Sequence, residues 1–200
     1  MTATIRAAMM MLGATSLAAA SPALASGAKL PDTVLFGAAY YDEYAPTDRV
    51  EQDAAMMTAA GITVVRIAES TWGTLERTPG VFDFSHVDRT LAAMNRHGIK
   101  VIVGTPTYAI PTWLAKEHPG VLALRREGPA LYGPRQNMDI TDPDFRAAAQ
   151  RVIIALVDHV RDDPAVIGYQ VDNETKAYGT SGPNVQAAFQ AEMKRQFPKL

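Results

Sequence analysis

The sequence predicts an α/β fold in which about four strand–helix units form the N-terminal half of a (β/α)8 TIM barrel. Short apolar segments alternate with segments of helical periodicity, as expected for a parallel sheet covered by helices. The phrases AAGITVVR and RHGIKVIV repeat one joint, in which a helix ends on glycine and a strand follows. Polar residues collect after the apolar segments, where active sites of such barrels lie.

Composition places the chain among ordinary globular proteins. The 200 residues are 48% hydrophobic and 20% charged, with a formal net charge of -2. The chain has no excess of basic residues, so its composition does not indicate nucleic acid or an anionic membrane as a partner. Cysteine is absent, which excludes disulfides, thiolate metal sites and a cysteine nucleophile. The four histidines do not fall at the spacing of a zinc motif, so the sequence predicts neither a metal nor a cofactor.

The first 25 residues have the pattern of a secretory signal peptide. Arg6 supplies a positive n-region, residues 7–20 form an apolar run, and residues 23–25 read A-L-A, a cleavage signature. The alternative is an N-terminal membrane anchor, but the run is shorter than the ~20 apolar residues that span a bilayer. We expect cleavage after Ala25, a barrel domain over residues 26–200, a periplasmic or secreted location and no membrane attachment after cleavage.

The mature chain is predicted to begin with a buried strand over residues 34–40. Thr47 can then cap a helix that ends at Gly61. The apolar residues of this helix recur at i, i+4 and i+7, and they are Val50, Ala54 and Met57. Residues 62–67, which read ITVVRI, are predicted as the second strand.

The following units repeat this order. Ser85 is predicted to cap a helix that ends at Gly98, and residues 100–104 are predicted as the third strand. The apolar face of that helix contains Val87, Leu91 and Met94. Asp142 and Pro143 place a cap and a proline at the first position of a long helix. Its inward residues are Phe145, Ala149, Val152, Leu156 and Val160.

A fourth buried strand begins at Val166, and residues 184–197 are predicted as one more amphipathic helix. Four such units could be a complete doubly wound domain or half of an eight-stranded barrel. Polar residues at the strand ends favour the barrel; they are Tyr40, Tyr41, Asp42, Glu43, Arg66, Glu69, Thr105, Asp172, Asn173 and Glu174. A Rossmann-type site would need a glycine-rich turn after the first strand, where the chain reads YYDE.

The segment VIGYQVDNE, residues 166–174, carries the principal candidate site. Asp172, Asn173 and Glu174 directly follow an apolar strand, and burying three polar residues without partners would be costly. From this segment alone, a helix-capping Asp or Asn beside a solvated Glu explains the pattern equally well. The motifs upstream are what favour a catalytic site.

Four segments in order resemble the N-terminal barrel domain of glycoside hydrolase family 42, a family of retaining β-galactosidases. They read FGAAYYDEYAP, GITVVRIAESTW with LERTPGVFDFSHVD, GIKVIVGTPTYAIPTWLAKEHP, and DPAVIGYQVDNE. The resemblance runs from about residue 35 to residue 174. It implies a (β/α)8 barrel and a β-galactoside oligosaccharide as substrate.

The resemblance implies roles for three residues. Glu174 matches the family's acid/base, and Asn173 matches the residue that hydrogen-bonds the 2-hydroxyl of the sugar. Arg135 matches an arginine that binds substrate from the loop after the third strand, although a surface arginine on a long loop is the alternative. To donate a proton near neutral pH, Glu174 has to be kept protonated by burial or by the charge of a neighbouring nucleophile.

Three further residues are candidates on physical grounds. Arg66 lies at the end of an apolar strand, where a charge needs a carboxylate partner. An ion pair with Glu69, an ion pair with the catalytic carboxylates and a direct contact with the sugar all stay open, and we include Arg66 among the substrate-binding residues. Trp72 and Trp113 could stack on sugar faces, but aromatic residues at this spacing more often belong to the core.

Two departures from the family pattern matter. Many members hold a zinc ion with a cysteine three residues after the substrate arginine, where this chain has Met138 and no cysteine anywhere. The family's nucleophile is a second glutamate at the end of strand seven, which would lie downstream of Leu200. The chain is therefore interpreted as the N-terminal part of a longer enzyme and is expected to be inactive alone.

Two alternatives to a β-galactosidase stay open. One is a noncatalytic carbohydrate-binding half-barrel, and the other is a retaining β-glycosidase of the same clan with another sugar specificity. The sequence also leaves open a homo-oligomer of the full-length protein.

Overall fold

The computed structural model of the protein describes residues 34–133, 135–174 and 179–199. The predicted signal peptide and its cleavage site lie outside these residues. Two strand-rich parts are present in the described chain, a four-stranded parallel sheet and a two-stranded antiparallel hairpin.

The elements follow one another in strand–helix order. The strands of the sheet are β1 (Gly37–Ala39), β2 (Val64–Ile67), β3 (Lys100–Gly104) and β6 (Val166–Gln170), and those of the hairpin are β4 (Leu124–Arg125) and β5 (Gly128–Pro129). The helices are α1 (Val50–Ala59), α2 (Trp72–Leu75), α3 (Ser85–Arg96), α4 (Thr112–Glu117), α5 (Pro143–Val160) and α6 (Pro183–Gln196). Short 3-10 turns occupy Asp42–Tyr44, Pro106–Tyr108 and Pro119–Val121.

The sheet has the strand order β1-β2-β3-β6, and all three pairings are parallel. Each new strand is added at the same edge, as in a barrel, whereas a doubly wound sheet reverses direction at its switch point. The pairing of β3 with β6 shifts register between Val101 and Ile102. Because all four strands run parallel, their carboxyl ends meet at one edge of the sheet.

One face of the sheet is covered by α1, α3 and α5. The core there includes Val65 and Ile67 of β2 and Val101 and Val103 of β3. Ten of the helix residues predicted to face inward are buried: Val50, Ala54, Val87, Leu91, Met94, Phe145, Ala149, Val152, Leu156 and Val160. Met57, also predicted to face inward, is only partly buried against this core. Val64, Arg66 and Ile102 project to the opposite face, which lines an open groove. This alternation is what a barrel wall requires, because its two faces meet different surroundings.

The helix ends were predicted with mixed success. Gly61 and Gly98 end α1 and α3 in the left-handed region, with φ of 78° and 68°, as predicted. Asp142 caps α5 as predicted, because its Oδ1 accepts hydrogen bonds from the backbone N–H groups of Asp144 (2.9 Å) and Phe145 (3.0 Å).

The other two predicted caps are wrong. Helix α1 begins at Val50 after Arg49, so Thr47 is too far upstream to cap it. Ser85 is the first residue of α3 rather than its cap, and its backbone N–H donates to Asp83 Oδ1 at 2.9 Å. Asp83 therefore begins the turn that the serine was expected to begin, because an aspartate readily bonds the backbone two residues on.

The predicted burial of the outer strands is also wrong. Strand β1 covers only residues 37–39 of the predicted 34–40 strand, and Val34 and Phe36 are 91% and 61% exposed. In β6 and just after it, Tyr169 and Val171 are 41% and 82% exposed. Within the described chain these strands have one neighbour each and an uncovered inner face. Helix α6 is confirmed as a helix, but none of its residues is buried.

In the part of the chain that the structure describes, no helix is both long enough and apolar enough to cross a bilayer.

Candidate active site

Arg66 is the centre of a hydrogen-bond network at the carboxyl edge of the sheet. It lies on β2, and its Nη1 donates to Gln170 Oε1 at 2.8 Å and to Asn173 Oδ1 at 3.3 Å. Its Nη2 donates to Tyr41 Oη at 3.1 Å and to Glu69 Oε1 at 3.0 Å. Tyr41 follows β1, and Gln170 and Asn173 lie at the end of β6. This one side chain therefore joins the ends of β1, β2 and β6, reaching past β3.

Glu69 is the carboxylate partner that the charge of Arg66 required. Its side chain is 1% exposed, whereas that of Arg66 is 29% exposed. The α-carbon and side chain of Glu69 lie against Gly104 at the end of β3, where an added Cβ would come 2.7 Å from Glu69 Cβ. A glycine is therefore needed at that position for the ion pair to pack against the strand. Of the alternatives left open for Arg66, the structure shows the ion pair with Glu69.

Asn173 is buried, and its amide has a fixed orientation. Its Oδ1 accepts from Arg66 Nη1 and from Gln170 Nε2, the latter at 2.9 Å. Because an arginine can only donate, the oxygen of the amide has to face Arg66. The NH2 group of Asn173 is thereby set as the donor end of the side chain.

Glu174 follows Asn173 directly in the chain and is an exposed residue. Its Oε2 accepts a hydrogen bond from the hydroxyl of Tyr108 at 2.6 Å. The sequence expected either burial or a neighbouring charge to keep Glu174 protonated, and the described residues do not supply the burial.

The backbone around Glu174 has unusual torsion angles. Asp172 and Glu174 have φ of 60° and 48°, a region that residues other than glycine seldom adopt. The backbone N–H of Asp172 donates to Thr105 Oγ1 at 2.9 Å. Gln136 Nε2 donates to the carbonyl oxygens of Asn173 (3.2 Å) and Glu174 (3.0 Å). Such conformations persist where surrounding contacts hold them, and they cluster at functional sites.

Arg135 reaches the same place from the loop after β3. It is exposed, and its Cζ lies 4.8 Å from the centre of the Tyr108 ring. Tyr108 thus contacts Glu174 through its hydroxyl and Arg135 through its ring. The hydrogen bond to Glu174, followed by burial, raises the pKa of the Tyr108 phenol above its usual value.

The structure brings together all four residues that the sequence singled out. Arg66 contacts Asn173 directly, and Tyr108 joins Glu174 to Arg135. Sequence reasoning missed Tyr108, although it follows the third strand within T-P-T-Y, close to the carboxyl edge where functional side chains were expected.

Both tryptophans pack in a second hydrophobic cluster, which includes Leu114, Val121 and Phe145. Trp72 is fully buried, and its Nε1 donates to Glu76 Oε2 at 2.7 Å. Trp113 is half-buried against the same hydrophobic cluster, and its Nε1 donates to the carbonyl oxygen of Glu76 at 2.7 Å. The core interpretation is confirmed for Trp72.

The residues at the family's zinc position do not fit a zinc ion. Met138 is 3% exposed and packs in the cluster that contains Trp72 and Leu114. Zinc sites of this kind depend on cysteine thiolates, which this chain does not have. Among the described residues, no group of three or more His, Asp or Glu is placed to hold a metal ion.

Prolonged EDTA treatment of the full-length protein is therefore expected to leave its activity and melting temperature unchanged. A structural zinc ion contributes directly to folding free energy, so its removal would lower the melting temperature. The two measurements before and after dialysis against EDTA check this expectation. A loss that added zinc restores would reveal ligands outside the residues considered.

Comparison with known proteins agrees with the geometry. Residues 39–200 match the model of glycoside hydrolase family 42, described as β-galactosidase. The β-galactosidase BgaA of a Thermus species is 35% identical over 167 residues, which are 82% of this chain and 26% of the relative. The β-galactosidase BgaH of Haloferax lucentense is 34% identical over 145 residues, 72% of this chain and 22% of the relative.

Solved structures give the same result. The β-galactosidase of the psychrophilic Marinomonas ef1 superposes with a TM-score of 0.78 at 31% identity, over 82% of this chain and 26% of that one. This likeness confirms the predicted fold, the N-terminal portion of a (β/α)8 barrel. The chain spans about a quarter of the length of the relatives it matches. It belongs to glycoside hydrolase family 42.

Proposed function

We propose that the protein carrying these residues is a retaining glycoside hydrolase that acts on terminal β-D-galactosides, with Glu174 as its acid/base. The observation that carries the proposal is the placement of the Glu174 carboxyl group. It lies at the carboxyl edge of the sheet, bonded to Tyr108 at 2.6 Å and adjacent to Asn173. Catalytic residues of (β/α)8 enzymes come from this edge.

In the first step, Glu174 donates a proton to the oxygen of the leaving group. Tyr108 occupies Oε2 as a hydrogen-bond donor, which leaves Oε1 to carry the proton. A second carboxylate attacks the anomeric carbon, and in retaining enzymes the two carboxyl groups lie about 5–5.5 Å apart. Family resemblance assigns that nucleophile to a glutamate beyond these 200 residues. Its negative charge would also favour the protonated form of Glu174.

In the second step, the ionised Glu174 takes a proton from water as the water attacks the glycosyl–enzyme ester. The Tyr108 hydroxyl still donates to the carboxylate, and hydrogen bonds to ionised acceptors are stronger than neutral ones. One contact therefore serves both protonation states of Glu174.

Asn173 and Arg135 are proposed to bind the sugar. The donor end of the Asn173 amide is set by Arg66 and Gln170, and it suits the 2-hydroxyl, a contact that strengthens in the transition state. The exposed guanidinium of Arg135 offers donors in a fixed fork to sugar hydroxyls. Arg66 is proposed to orient Asn173 and, as a substrate-binding residue, to contact the sugar as well.

The proposed location of the protein is outside the cytoplasm. The pattern of residues 1–25 supports export to the periplasm or the medium, where oligosaccharides are met. The substrate is a β-galactoside oligosaccharide, and nothing in the chemistry requires a cofactor. A homo-oligomer of the full-length protein is compatible with this function.

The test is turnover of matched aryl β-glycosides by the full-length protein. We expect kcat/KM to be highest for the galactoside among galactoside, glucoside and fucoside, and proton NMR to detect β-galactose before α-galactose. A preference for another sugar would favour a retaining β-glycosidase of the same clan with another sugar specificity. Sugar binding without turnover would favour the noncatalytic half-barrel.

A further inference from the structure

Tyr108 is a buried tyrosine whose hydroxyl reaches an exposed carboxyl group. The residue is 3% exposed, yet its hydroxyl donates to Glu174 Oε2 at 2.6 Å. Buried tyrosine hydroxyls usually find a partner inside the protein. Here the partner is the residue proposed to transfer the proton, so the contact is not explained by packing alone.

The position of Tyr108 is fixed by its backbone as well. Its N–H donates to the carbonyl oxygen of Glu69 at 3.3 Å, and its own carbonyl oxygen accepts from the N–H of Gln136 at 3.1 Å. The side chain of Gln136 in turn holds the carbonyl oxygens of Asn173 and Glu174. Tyr108 therefore holds the side chain of Glu174, and Gln136 holds the backbone of Asn173 and Glu174.

We propose that Tyr108 is the positioning residue of the acid/base, orienting the Glu174 carboxyl group for proton transfer and coupling it to Arg135 through its ring. The inference rests on the proposed function of Glu174. It deepens that function by assigning a second residue to the proton-transfer step.

The direction of the effect follows from the chemistry of the hydrogen bond. A phenol that donates to a carboxyl group stabilises the ionised form more than the protonated form. The contact therefore strengthens as Glu174 loses its proton to the leaving group, which is the condition for an interaction to accelerate a reaction. The raised pKa of the Tyr108 phenol keeps it a donor throughout the working range of pH.

The ring of Tyr108 has a separate task. The Arg135 guanidinium lies over it at 4.8 Å, a distance at which a cation is attracted by the face of an aromatic ring. Phenylalanine would keep this platform and remove only the hydroxyl. Leucine would remove both, so the two variants separate proton transfer from substrate binding.

The first test compares Tyr108→Phe with the wild type in the full-length protein, over aryl galactosides of graded leaving-group ability. We expect kcat/KM to fall about tenfold for the poorest leaving group, the size of one hydrogen bond to a charged group, and to change less than about twofold for the most activated one. Tyr108→Leu should in addition raise KM.

The matched control is Tyr132→Phe. Like Tyr108, Tyr132 lies between β3 and α5. Its hydroxyl contacts Thr112 Oγ1 (3.0 Å) and the carbonyl oxygen of Ile110 (3.4 Å) rather than Glu174. This variant should keep the leaving-group dependence of the wild type. A purely structural role of Tyr108 would lower activity equally for all leaving groups, which would overturn the proposal.

A second readout does not need turnover. Absorbance at 295 nm follows tyrosine ionisation, and the difference between the wild type and Tyr108→Phe isolates Tyr108. Glu174→Ala, which removes the acceptor of this hydrogen bond, should lower the midpoint of Tyr108 toward ~10, the value of a free phenol. An unchanged midpoint would show that the contact is absent and overturn the inference. If Glu174→Gln keeps full turnover of poor leaving groups, the proposed function fails. If only the Tyr108 effects are missing, that function stands and the inference alone fails.

Discussion

Glu174→Gln is expected to lower kcat/KM for a galactoside with a poor leaving group by about 10²–10⁴-fold, the contribution typical of general acid catalysis. An activated aryl galactoside should lose far less in the first step, because its leaving group departs without a proton. Glutamine keeps an oxygen for the Tyr108 hydroxyl at its 2.6 Å contact, so the local structure is retained. The measurement is a series of kcat/KM values against the pKa of the leaving phenol.

The control for this series is Glu127→Gln. Glu127 is an exposed carboxylate in the turn between β4 and β5, so the substitution removes the same charge away from the strand edge. It should leave every rate within experimental error of the wild type. If Glu174→Gln kept wild-type activity on the poorest leaving group, Glu174 would not be the acid.

Trp72→Ala is expected to lower the free energy of unfolding by about 3–5 kcal/mol, the range for removing a large buried aromatic side chain. Trp72 is fully buried, and its ring lies 6.1 Å from that of Phe145 on α5. Its Nε1 donates to Glu76 Oε2, and Glu76 also accepts from Arg151 at 2.7 Å. Removing the indole therefore opens a cavity and leaves a buried carboxylate with one donor fewer.

Two further variants sharpen the stability experiment, which is chemical denaturation of the full-length protein. Trp72→Phe keeps most of the volume and loses the N–H, so it should cost about 1–3 kcal/mol, the penalty of an unpaired buried acceptor. Phe189→Ala on α6 removes an aromatic ring that is 59% exposed and should change stability by less than about 0.5 kcal/mol. A Trp72→Ala protein of wild-type stability but with a raised KM would instead favour a sugar-stacking role.

The elements that sequence could predict are those whose signals are local. The glycines that end α1 and α3 adopt the positive φ that the pattern predicted, and β3 occupies residues 100–104 as predicted. Asp142 is a cap because its side chain and the first turn of α5 are adjacent in sequence. Thr47 and Ser85 carry an equally good local signal, yet α1 begins three residues after Thr47, and Asp83 takes the place that Ser85 was expected to fill.

Strand burial depends on neighbours that a single segment does not reveal. Residues 34–40 are apolar enough for a buried strand, but only residues 37–39 form one, and they are exposed. Exposure there reflects how many strands and helices lie alongside, and this is a property of the assembled sheet. An apolar segment shows only that the strand could be covered by other elements, not that it is.

The site was predictable to the extent that strand ends identify it. Asn173 and Glu174 follow β6, and Arg66 lies near the end of β2, so the parallel arrangement brings them to one edge. Which acceptors Arg66 would choose was open, since its bonds to Gln170 and Asn173 join residues more than a hundred positions apart. Tyr108 could not be distinguished from a packing residue, because its function depends on where its hydroxyl points.

The most direct test of the acid/base assignment is the product that Glu174→Ala forms from an activated aryl β-galactoside in the presence of azide. Truncating Glu174 opens space on the β face of the galactosyl–enzyme ester, and azide can attack there without a general base. Proton NMR of the product should show β-galactosyl azide, formed faster than the variant hydrolyses the substrate without azide. Formation of α-galactosyl azide would make Glu174 the nucleophile and contradict the account.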